Sequence, residues 1–257
     1  MLRLLRFEFR KLSCSKAFYI CLAISVAMCL IVALAMKVAL SVLEHPEDFV
    51  GSYGTDGLGM MKHFLDLSNF TMMNGIVTAI LVCEDYTSES IKNIYAKGYT
   101  RHNIFFAKYI STLVASLVMI VVGLLTSFAL GFAVFGKAGE MGENYLLSML
   151  VIVLCALAYH AIFFSISITF RKIGGSIALN IVVPVFFQLI VTLLDELLKI
   201  KDRISGGIAQ YALSGRLSIL VGNDVAISDV GIGVIVALLF AAIPLVAAYI
   251  FNNKRDN

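Results

Sequence analysis

Residues 84–108 read EDYTSESIKNIYAKGYTRHNIFFAK, a polar, charge-mixed stretch in a chain of 257 residues that is 60% hydrophobic and only 14% charged. A simple connection between apolar runs needs only a few small or charged residues, whereas this stretch is patterned to fold locally. Thr87 or Ser88 can cap a helix whose first turn holds Glu89, favourable beside the positive helix end. Ile91, Ile94 and Tyr95 then share one face, Lys97 falls in the last turn, and Gly98 can close the helix in the left-handed conformation. Thr100 can cap the following helix, which carries Arg101 and Lys108. The expected product is a short amphipathic helix lying along a membrane surface and presenting an apolar knob to a partner.

Working outward, the composition places the chain in the integral membrane class, because long apolar runs with so few charges leave no water-facing core to build. Each crossing needs about 20 mostly apolar residues in helical form. Six stretches fit: Ala17 to Met36, Asp66 to Cys83, Ile104 to Phe135, Tyr145 to Phe170, Ile177 to Leu197 and Val230 to Phe251. The second is the weakest, since its apolar part FTMMNGIVTAILVC is short and holds Asn74 and Gly75.

Sidedness decides between five spans and six. With six spans and the N-terminus in the cytoplasm, the inner segments hold Arg3, Arg6, Arg10, Lys11, Lys16, Lys92, Lys97, Arg101, Lys108, Arg171, Lys172, Lys254 and Arg255, most of the 20 Lys and Arg. Removing the second span would send Lys92, Lys97 and Arg101 outside. The expected fold is therefore all-α: a polytopic membrane protein of six transmembrane helices forming a single transmembrane domain over 1–257, with both termini cytoplasmic in the plasma membrane. The net charge of +3 adds little, and nothing in the pattern points to nucleic acid.

Before the first span, LRLLRFEFRKLS sets Leu2, Leu5, Phe9 and Leu12 at helical spacing beside Arg3, Arg6 and Arg10. Residues 1–16 thus read as an amphipathic helix in the interface plane, with arginines among phosphates. Its basic start, apolar run and Ala33-Leu34-Ala35 resemble a signal peptide, but the apolar run has full spanning length. The last outer loop, 198–229, contains IAQYALSGRLSILVG, with room for a short helix against the membrane surface. In the fifth span Asn180, Pro184, Gln188, Thr192 and Asp195 form one polar stripe, which fits helix–helix packing, a dimer contact or a translocation path. His160 reads as an interior hydrogen-bonded histidine, and Cys21, Cys29, Cys83 and Cys155 as small core residues.

Catalytic motifs are missing: there is no G-x-x-x-x-G-K-[ST], H-E-x-x-H, C-x-x-C or G-x-S-x-G. The adjacent Glu84 and Asp85 point about 100° apart on a helix and make a poor two-carboxylate site. No metal site and no enzymatic activity are expected. An ATP-independent channel or secondary transporter is one alternative, although such proteins commonly carry charges within their spans. A membrane anchor or immunity protein without transport is another.

The order of features resembles the membrane subunits of type-2 ABC exporters: an acidic residue at the end of the second span, then a polar helix, then K-G-Y-T-R and an apolar helix with a Lys. The sequence departs from the family's loose signature in having Tyr86-Thr87-Ser88 where Gly-Thr is usual. The resemblance implies that the helix within residues 84–103 is a coupling helix docking onto a separate ATPase subunit, with Glu84, Ile91, Ile94, Tyr95, Lys97, Gly98, Tyr99 and Arg101 in the contact region. It implies an interfacial helix around Arg3, Arg6, Phe9 and Arg10, and a second permease chain, identical or similar. Asn180, Gln188, Thr192 and Asp195 would then line the dimer interface or the path. ATP and Mg would sit on the partner ATPase and no cofactor on this chain; export of an antimicrobial or amphipathic peptide, or self-immunity, is the implied task.

Overall fold

The computed structural model describes residues 1–42, 56–65, 70–139, 141–142, 144–197, 207–222 and 225–254. Ten α-helices run through them: α1 (Leu2–Cys14), α2 (Lys16–Val42), α3 (Gly57–Phe64), α4 (Met72–Thr87), α5 (Ser90–Ala96), α6 (Arg101–Phe135), α7 (Tyr145–Phe170), α8 (Ile173–Leu197), α9 (Leu213–Val221) and α10 (Ile227–Lys254), with a 3-10 turn at Ala209–Tyr211 before α9. No strand occurs among the described residues.

Five helices, α2, α6, α7, α8 and α10, are long and apolar enough to cross a membrane. The second expected crossing is different: α4 has 16 residues, about 24 Å at 1.5 Å per residue, against a hydrocarbon core of about 30 Å. A π-helical turn at Phe70 and Thr71 precedes it, and Asp66 to Asn69, part of the expected span, lie outside the described residues. Six full-length spans are therefore not what the described residues show.

α4 sits inside the bundle, packed against α6, α7 and α8, and buries Asn74, Gly75, Val77, Thr78, Ala79, Leu81, Val82, Cys83 and Asp85. Gly75 permits the close approach of α8, for a Cβ there would stand 3.2 Å from that of Asn180. α7 carries the most extensive packing, chiefly against α10. α2, α8 and α10 turn broad apolar faces outward, as helices bordering lipid do: Ile20 and Ile31, Phe186 and Ile190, Leu239 and Ile243 are all exposed.

Helix ends sort into two sets. The ends of α1, α4, α7 and α10 and the starts of α2, α6 and α8 meet around α5, where Lys11 reaches Asp85, Arg101 reaches Asn253 and Arg171 reaches Asn252. At the opposite end α3 lies along α6, and Gly123 leaves room for the Phe64 ring, which a Cβ would penetrate. There Tyr145 donates to the Leu58 carbonyl at 3.1 Å, Lys62 to the Gly222 carbonyl at 2.9 Å, and buried Arg216 to Asp229 at 3.0 Å.

Candidate functional site

The quoted stretch folds as a turn, a short helix and a turn, with one change from expectation. α4 continues through Tyr86 and Thr87, so neither Thr87 nor Ser88 caps α5. Ser88 instead ends α4, its Oγ donating to the Glu84 carbonyl at 2.8 Å. Glu89, in the left-handed region at φ 55°, turns the chain into α5. Gly98 at φ 82° provides the turn after α5, and Thr100 caps α6 by accepting from the Asn103 amide at 3.4 Å. Both follow from residue chemistry: glycine adopts positive φ without a Cβ clash, and a threonine oxygen satisfies an orphan amide.

The isoleucines face the other way from the expected knob. Ile91 and Ile94 are each 8% exposed and pack with Leu4, Ile104 and Ala107, with Tyr86, Tyr95 and Tyr99 at the edge. They clamp α5 onto α1 and α6 of the same chain. The expectation that they present an apolar surface to a partner is corrected. What α5 and its flanks leave exposed is mainly polar, Glu89, Lys92, Asn93 and Lys97, with the small Ala96 and Gly98 beside them. Lys92 donates to Glu89 at 2.6 Å and holds its carboxyl below the usual carboxylate range. Arg101 reaches the Asn253 carbonyl at 3.4 Å, which ties the start of α6 to the end of α10.

Directly behind α5 lies a cluster of charges that the sequence reading did not assemble. Lys108, 1% exposed, donates to Asp85 and pairs with Glu8 at 3.5 Å without a hydrogen bond. Lys11 pairs with the other Asp85 oxygen at 2.7 Å and with Glu84 at 3.1 Å. Three helices, α1, α4 and α6, thus contribute to one network, and the inner four groups (Glu8, Lys11, Asp85, Lys108) sum to zero charge. Such charges are tolerated in a low-dielectric interior only when paired, since removing one partner leaves the other uncompensated. Glu84, the acid singled out from sequence, is half exposed, and its neighbour Asp85 is the buried hub. The signal was available in the register: Leu4, Glu8 and Leu12 stand at steps of four on the buried face of α1. Arg3, Arg6 and Arg10 remain exposed and Phe9 is half-buried.

The polar stripe of α8 is turned toward its own chain. Asn180 donates to the Gly75 carbonyl at 2.9 Å and to Ser167 at 3.2 Å. Gln188 accepts from Ser214, and Thr192 donates to the Gln188 carbonyl at 3.0 Å. Asp195 accepts from the amides of Ile208 and Ala209 at 2.7 and 2.6 Å. Apart from the Thr192 bond, which stays within α8, these are helix–helix and helix–turn contacts within one protomer, and the exposed face of α8 is the apolar opposite one. His160 sits fully buried between Thr78 at 3.3 Å and Thr112 at 3.4 Å. Among the described residues no group of His, Cys, Asp and Glu could hold a metal ion.

With this geometry in place, the family model described as ABC-2 family transporter protein matches residues 4–192. The chain belongs to the ABC-2 transporter family. The match takes in nearly all of α1, the charge cluster, α5 and most of α8, while Asp195 and its partners lie beyond it. Together with five apolar helices of spanning length, membership makes the chain a multi-pass membrane protein. The ABC-2 chain is also 28% identical over 92 residues to the uncharacterized protein YhcI of Bacillus subtilis (strain 168), a stretch covering 34% of this chain and 29% of that protein. Less than a third of that relative's length is thus matched. No solved structure matches.

Proposed function

We propose that the chain is the membrane subunit of an ATP-driven exporter and receives its ATPase partner on the exposed polar face of α5, at Glu89, Lys92, Asn93 and Lys97. The observation that carries this is the placement of α5: a short helix at one end of the bundle, held to α1 and α6 through Ile91 and Ile94, while the Lys108–Asp85 and Lys11–Asp85 pairs tie α1, α4 and α6 to one another. A partner moving against α5 would move those three helices with it, because neither the isoleucines nor the paired charges can separate without exposing what they bury. ATP and Mg belong to the partner, and this chain contributes force transmission rather than chemistry.

The end holding α5 is assigned to the cytoplasm. Among the described residues it collects Arg3, Arg6, Arg10, Lys11, Lys16, Lys92, Lys97, Arg101, Lys108, Arg171, Lys172 and Lys254, while the opposite end has Lys37, Lys62, Lys137 and Arg216. That bias has the sense of the positive-inside rule. α1 would lie in the inner interface with its arginines at the head groups, and α4 would complete the crossing with the residues before it. A second permease chain would meet the apolar outer faces of α2, α8 or α10. An amphipathic peptide is the cargo class carried over from the family resemblance.

Affinity purification of the chain in mild detergent tests the assignment. An ATPase with a phosphate loop should co-purify and be lost on Lys92→Glu with Lys97→Glu; a preparation that transports alone in vesicles would favour an ATP-independent carrier.

A further inference from the structure

Between two of the spanning helices the surface of the bundle is concave. A groove of about 230 Å³ runs between α6 and α10, lined by Phe105, Phe106 and Tyr109 from the first and by Leu245, Val246 and Tyr249 from the second. We propose that it is a binding site for one acyl chain of a membrane phospholipid, which it holds by shape and apolar contact and not by the head group.

The walls follow from helical register. Phe105 and Tyr109 stand one turn apart on α6, and Leu245 and Tyr249 one turn apart on α10, so each helix presents a ridge and the groove is the space between them. Rings stiffen both ridges: Phe105 meets Phe164 and Tyr249 edge to face, with centroids 5.2 and 5.5 Å apart, and Tyr109 meets Phe164 in the same way at 5.1 Å. At one end the Tyr249 hydroxyl and His102 Nδ1 share a hydrogen bond of 2.9 Å, which steadies the rim. A concave, apolar and preformed surface gains dispersion contact from a flexible chain with little ordering cost of its own.

The occupant is named by what borders the groove. Val246 lines it and also belongs, with Leu239, Ile243 and Ile250, to a stripe at steps of four, three and four along α10 whose members are 46% to 65% exposed. That stripe is part of the apolar face that α10, a helix of spanning length in a multi-pass membrane protein, turns outward. The groove is therefore an indentation in a lipid-facing surface and opens onto acyl chains. Its depth agrees: Phe105 and Tyr109 lie about 6 and 12 Å along α6 from Arg101, which sets the lining just inside the hydrocarbon, with tyrosines near the boundary where amphipathic rings are favoured. The inference rests on the membrane embedding of α6 and α10 and is independent of the orientation and the docking proposed above.

The full chain, purified and placed in nanodiscs of equimolar phosphatidylglycerol and phosphatidylcholine, is to be released and its retained lipid weighed by native mass spectrometry. At least one phospholipid per chain should stay bound. Val246→Trp, which builds an indole into the groove from an exposed position, should lower that occupancy about tenfold, the weight of displacing roughly two methylenes from apolar contact. The lipid it removes should comprise both head groups. Ile243→Trp, on the same exposed stripe but outside the lining, should keep parental occupancy, and Val246→Phe, a smaller plug, should give an intermediate loss. Unchanged unfolding temperatures in detergent show that the variants are folded. A parent that keeps no lipid, a Val246→Trp protein with parental occupancy, equal loss in both tryptophan variants, or a loss confined to phosphatidylglycerol overturns the proposal. So does a lipid-free dimer that Val246→Trp dissociates, which would seat a second copy of the chain in the groove. No ATPase enters the measurement, so its outcome is separate from that of the docking assignment.

Discussion

Lys108 stands two turns into α6 with its ammonium almost wholly removed from solvent, between Asp85 and Glu8. Replacing it with leucine leaves two carboxylates facing each other in the interior and should cost about 3 kcal/mol. The expected result is a lowered unfolding temperature in detergent for Lys108→Leu, with substantial recovery when Glu8→Gln and Asp85→Asn are added; a single variant as stable as the parent would mean the cluster is open to water. Gly123 makes a second residue-scale case. A side chain there would occupy the space of the Phe64 ring, so Gly123→Leu should destabilise by about 1–3 kcal/mol, and Phe64→Ala in the same protein should restore much of the loss. Failure of that rescue would place the damage elsewhere on α6.

At the scale of the element, α5 is held by one face and offers the other. Ile94→Asp would put a carboxylate among Leu4, Ile104 and Ala107, and about 3 kcal/mol or more of stability should go with it. Lys92→Glu and Lys97→Glu, on the exposed face, should leave the unfolding temperature unchanged and act only on partner binding. Comparing the four proteins by thermal unfolding and by ATPase capture separates the two faces; an Ile94→Asp protein of parental stability would contradict the packing. The existence of α5, its glycine turn and the Thr100 cap were legible in the sequence because each depends on residues within one or two turns. Which way Ile91 and Ile94 point was not, since that depends on where Leu4 of α1 and Ile104 of α6 arrive from distant parts of the chain. The same holds for the charge cluster: Glu84 and Asp85 are adjacent, and only the docking of α1 makes Asp85 the buried one. The polar stripe of α8 was visible from its spacing of three and four residues, whereas its partners at Gly75, Ser214, Ile208 and Ala209 belong to other elements.

On the scale of the whole molecule, the five long apolar helices and the gathering of basic residues at one end follow from composition and order alone. The short central α4 does not, because a helix shielded by its neighbours need not itself be long and uniformly apolar. Membership of the ABC-2 transporter family gives this arrangement its functional setting, with α5 as the proposed contact for a separate motor. That claim is tested most directly by a photo-activated crosslinker placed at Asn93, on the exposed face of α5, and, as a control, at Lys137 at the opposite end, in membranes of the native host. An adduct with a protein bearing an ATP-binding phosphate loop from position 93 and none from position 137 is the predicted result. No such adduct from 93, or equal adducts from both, would contradict it.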